Sequence, residues 1–73
     1  MKFTAVIGKE GHIYTAWCPE LDIASQGKNI EEALRNLKEA IELYLEDEYA
    51  EMPSSPVFLT TVEIKYQGIQ NKQ

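Results

Sequence analysis

Seventy-three residues with a net charge of −5 make a single domain with a small core: a chain this short buries only roughly 60% of its unfolded surface, and one core supplies about 3–5 kcal/mol. Twelve acids against seven bases disfavour direct nucleic-acid binding, because phosphate affinity comes from clustered Lys and Arg. The lone Cys18 excludes an internal disulfide and suits a reducing cytosol, no apolar run approaches the roughly 20 residues that span a bilayer, and the opening MKFTAVIGKEGH lacks a signal peptide's apolar core.

Lys2 to Ile7 alternates, with Phe3, Ala5 and Ile7 on one side. Gly8 to Gly11 reads as a turn and His12 to Trp17 as a second strand, giving an antiparallel hairpin. Cys18-Pro19-Glu20-Leu21 interrupts the pattern, since Pro19 cannot donate to a ladder. Asp22 to Gln26 reads as a short third strand.

Asn29 to Tyr49 carries apolar residues at Ile30, Ala33, Leu34, Leu37, Ala40, Ile41, Tyr44 and Leu45, the spacing of one helical face. Asn29 is placed to cap this helix, and Glu32 to reach back to the Asn29 amide in a capping box. A loop with Pro53 and Pro56 follows. Phe58 to Tyr66 alternates again, with Val62, Ile64 and Tyr66 on one face, and predicts a fourth strand. Residues 68–73 are polar and expected to fray, which leaves 1–67 as the domain.

The predicted fold is therefore α+β, β-β-β-α-β: a four-stranded mixed sheet in the order 3-2-1-4 with the long helix on one face. Right-handed crossovers dominate such units. The opposite face, with Val6, Tyr14, Ala16 and Thr61 as candidates, is left uncovered, and together with two open edges it predicts a homodimer or higher homo-oligomer. From Asn29 to Glu51 eight acids stand against two bases, a net −6, leaving +1 for the remainder. That asymmetry favours a basic partner, although a solvated helix face explains the same acids.

The middle of the chain carries an ordered set of short motifs: Tyr14-Thr15-Ala16-Trp17-Cys18-Pro19-Glu20-Leu21, then Ser25-Gln26-Gly27, Glu31-Glu32-Ala33-Leu34, and Asn36-Leu37-Lys38-Glu39-Ala40-Ile41. This set resembles the HicB-like antitoxin family over about Ile13 to Glu46. The resemblance implies a partial ribonuclease-H-like fold. It also implies a non-catalytic role, in which the protein occludes HicA, a small basic mRNA-cleaving toxin. Many members carry a C-terminal DNA-binding domain, where this chain has about seven residues after its last predicted strand. Many also have Pro-Gly where Asp22-Ile23 stands.

No catalytic, cofactor-binding or metal site is expected. The first strand has no carboxylate, and Glu20, Asp22 and Glu63 lie on separate elements, unlike the converging acids of two-metal hydrolysis. His12 follows a turn with no second His, and Cys18 has no neighbouring base or second cysteine to lower its pKa. The candidate partner interface is Trp17, Glu20, Leu21 and Asp22 with the acidic helix face Glu39, Glu42 and Glu46. Trp17 fits a core as well as a hot spot, and Leu21 can simply cap the core. The leading reading is a cytoplasmic HicB-like antitoxin. The alternatives are an oligomerising structural or regulatory module without a toxin and, last, a cryptic nuclease.

Overall fold

The computed structural model describes residues 1–53 and 55–68. Three strands and one helix follow in chain order: β1 (Val6–Glu10), β2 (Ile13–Cys18), β3 (Ile23–Gly27) and α1 (Ile30–Leu45). The strands form one antiparallel sheet in the order β1-β2-β3. This confirms the α+β class and the meander.

The first hairpin is tighter than the glycines suggest. Glu10 pairs with Ile13, so Gly8, Lys9 and Glu10 belong to the strand and only Gly11-His12 turns. Gly11 has φ 61°, the left-handed value that a two-residue turn with glycine in first position requires. Lys9 then faces Tyr14 across the ladder, its ammonium 5.3 Å from the ring centroid, a distance at which cation and ring attract.

Cross-strand partners share a face, so the register sorts the side chains. Ile7 pairs with Ala16, and Ala16 with Ser25; Ala16 and Cys18 are fully buried beneath α1. Val6 pairs with Trp17, and Trp17 with Ala24, which puts these on the uncovered face with Ile13 and Thr15. The expectation for that face is met by Val6 and corrected at three positions: Tyr14 and Ala16 point toward the helix, and Thr61 lies outside the sheet. Both alternating sets of β2 are apolar, so sequence parity alone does not say which is inside.

The helix forms over its first four turns as the apolar spacing requires, with Ala33 and Leu37 buried. Asn29 Oδ1 accepts from the Glu32 amide at 2.7 Å. Glu32 Oε1 accepts from the Lys28 amide at 2.6 Å, one residue earlier than the capping box predicts. α1 ends at Leu45 rather than Tyr49. Glu46, Asp47 and Glu48 crowd the negative end of the helix dipole, and Asp47 Oδ1 takes the Tyr49 amide at 2.9 Å into a local turn, which competes with helical continuation.

α1 packs on β3 and β2. Asn36 Nδ2 donates to the Gln26 carbonyl at 2.8 Å, and Gly27 lies so near the helix start that a Cβ there would sit 2.6 Å from the Ala33 nitrogen. The helix therefore leaves β1 largely unroofed. Among the described residues the buried core is Ala16, Cys18, Ala33 and Leu37, with Phe3, Tyr14, Leu21, Ile23 and Ile41 packed around it.

Residues 58–67 do not join the sheet. The predicted fourth strand and mixed 3-2-1-4 sheet are absent from the single chain; alternation sets which side chains share a face but supplies no partner ladder. The segment instead extends from the body, with Phe58 84%, Val62 79% and Ile64 72% exposed. The radius of gyration is 16.2 Å, against about 11 Å for a compact chain of this length. The predicted fraying of residues 69–73 lies outside the described residues.

Candidate partner-binding surface

The turn between β2 and β3 gathers four sequence candidates. Asp22 has φ 55°, a left-handed conformation that Asp tolerates better than most residues. This brings its carboxylate back to Trp17, whose indole Nε1 donates to Asp22 Oδ1 at 2.9 Å. Trp17 is thereby fixed on the uncovered face with 42% of its surface exposed, and Ile13, 38% exposed, shares that face at the other end of β2. That face is apolar in part and carries a rigid aromatic ring, the residue type enriched at interface centres.

Glu20 points the other way. Its carboxylate accepts from the Thr4 amide at 3.0 and 3.1 Å and from the Thr4 hydroxyl at 2.6 Å, tying the segment before β1 to the turn. The Thr4 hydroxyl leads in holding the Glu20 carboxyl below its ordinary value of 4.5. Cys18 Sγ lies 3.5 Å from Glu20 Oε1. Burial, reinforced by that carboxylate, pushes the Cys18 thiol up, which disfavours the nucleophilic thiolate. Leu21 is half-buried against the core. The structure thus joins Trp17 and Asp22 as one exposed pair and engages Glu20 and Leu21 inside the chain. Thr4 is the partner that sequence reasoning missed; sixteen positions separate it from Glu20, and no local pattern links them.

The helix candidates form a separate site. Glu39, Glu42 and Glu46 are all exposed and lie three and four residues apart, on one stripe. The last turn holds no basic residue, so the C-terminal partial charge and the Glu46-Asp47-Glu48 run repel without local compensation. Among the described residues no three His, Cys, Asp or Glu side chains gather as a metal-binding group, and no helix is long and apolar enough to cross a membrane.

No family model matches the chain, and no solved structure does. Two curated relatives are informative. A UPF0150 protein of Helicobacter pylori is 58% identical over 48 residues, which cover 64% of this chain and 67% of that protein. A UPF0150 protein of Synechocystis is 50% identical over 44 residues, covering 59% of this chain and 56% of that protein. With 58% identity over an alignment that covers two thirds of the Helicobacter pylori relative, the chain belongs to the UPF0150 family.

Proposed function

We propose that this UPF0150 chain is a HicB-like antitoxin: a cytoplasmic, non-catalytic protein that binds a small basic mRNA-cleaving toxin of the HicA type and covers its active surface. The observation that carries this reading is the acidic end of α1, where Glu39, Glu42 and Glu46 run into Asp47 and Glu48 with no basic residue in the last helical turn. A cationic surface docked there relieves repulsion that the chain leaves unbalanced. Trp17 and Ile13, half-exposed on the other side of the sheet, supply apolar contact area. The motif set from Ile13 to Glu46 supports the partial ribonuclease-H-like assignment.

The test is association with the purified basic product of the adjacent reading frame. Reversing Glu39, Glu42 and Glu46 to Lys is expected to lower the association rate about tenfold or more at low salt, with the two rates converging at high salt. Equal rates at every ionic strength reduce these acids to a solvated face. Absence of any complex, together with undiminished RNA cleavage by the neighbour, removes the antitoxin reading. The second reading, an oligomerising module without a toxin, is favoured by the exposed apolar arm after residue 57.

A further inference from the structure

The outer edge of β1 has no neighbour in the sheet. Beside it, between the segment leading into β1 and the unroofed part of α1, lies an open apolar groove of about 370 Å³. Its walls include Phe3 and Ala5 on one side and Leu34, Ile41 and Leu45 on the other. Helix residues with apolar spacing thus reach past β2 and find no strand below. The same chain holds an extended segment with strand alternation and no sheet: residues 58–66, with Phe58, Leu59, Val62, Ile64 and Tyr66 all at least 64% exposed.

We propose that residues 58–66 of one copy enter this groove in a second copy and pair with its β1 edge, while the second copy's arm does the same in return. The exchange completes a four-stranded layer from two chains and closes on itself under a two-fold axis. It does not require the toxin reading, although Glu42 borders both surfaces.

The lengths agree. Nine arm residues span about 30 Å, and the edge from Phe3 to Glu10 about 26 Å. In the single chain the arm starts beside its own groove and does not enter it, which leaves both for a second copy. Tyr44 Oη donates to the Glu51 carbonyl at 2.9 Å and accepts from the Glu51 amide at 2.8 Å, fixing the start of the loop. Pro53, Pro56 and Val57 line one cleft with Lys2, Phe3 and Glu20, which places the end of the loop beside the start of the segment leading into β1. Pro56 has a fixed φ and biases Ser55 toward extended backbone, so the chain carries straight on, and the molecule reaches 53 Å in its long dimension. Each arm also brings a Phe and a Tyr, rings that bury about 150–250 Å² apiece. Two arms with their matching grooves thus approach the roughly 1,200–2,000 Å² of a specific interface.

The experiment uses the full chain and light scattering after size exclusion. The unmodified protein is expected at twice 8.3 kDa. Ile64→Asp damages the arm and Leu34→Asp the groove. Both positions are exposed in the single chain, so both variants are expected to keep its far-UV circular dichroism while running as monomers. Mixing the two restores one intact arm–groove pair, and a mixed dimer is expected on native mass spectrometry. A monomeric unmodified protein, a dimer that survives either substitution, or a mixture that stays monomeric overturns the exchange. The last result is the one expected if each arm folds back onto its own chain.

Discussion

Glu20 shows how a residue's sequence identity and its role diverge. An acid beside an exposed turn reads as a docking charge, yet its carboxylate is occupied by Thr4. Because its folded pKa lies below the ordinary 4.5, its contribution to stability is full above that value and is lost as pH falls through the lower folded one. Thermal unfolding followed from neutral to acidic pH is expected to show the unmodified protein losing its advantage over Glu20→Gln below about pH 4.5. Parallel curves dissociate Glu20 from acid sensitivity. Gly27 carries a steric argument of the same scale. A Cβ placed 2.6 Å from the Ala33 nitrogen meets backbone that cannot rotate away, so Gly27→Ala is expected to cost about 1–3 kcal/mol in urea denaturation.

For the elements, α1 is where local rules and packing agree. Its start follows from the Asn29 cap, and Asn29→Ala is expected to cost about 1 kcal/mol. Its end follows from electrostatics. Glu46→Lys places a cation at the negative terminus and is expected to stabilise the chain by about 0.3–1 kcal/mol at low salt, an increment that fades as salt rises. Leu37, 3% exposed at the helix–sheet contact, is expected to cost about 2–5 kcal/mol when truncated to Ala. That is comparable to the whole stability of a core this small, so the truncation is expected to leave the chain mostly unfolded by circular dichroism. The three strands of the meander were legible to within about four residues, because alternation and turn residues mark them, whereas the strand expected over Phe58 to Tyr66 did not form. The hairpin's exact turn was not, since two glycines three residues apart offer two registers and only cross-strand pairing selects one.

Across the whole molecule, a fully buried set of only Ala16, Cys18, Ala33 and Leu37 among the described residues sits beside an open groove and a detached apolar arm. A single copy leaves these surfaces wet, and burying them is the main favourable term in association. Glu42 lines the groove as well as the acidic stripe, so homo-association through the arm and capture of a basic protein meet at that residue.

From the residues alone follow the α+β class, the order of the three strands and the helix, the helix with its cap, and the acidic bias of its second half. Each depends on neighbours within a few positions, where backbone geometry and periodicity act directly. Tertiary structure decided what local chemistry leaves open: which of two apolar sets on β2 faces inward, that Glu20 belongs to Thr4, and that residues 58–67 find no place in their own sheet. These outcomes depend on where α1 settles over the strands. An amphipathic helix lying over β2 and β3 roofs two strands and leaves the third bare, and no stretch of sequence carries that offset by itself.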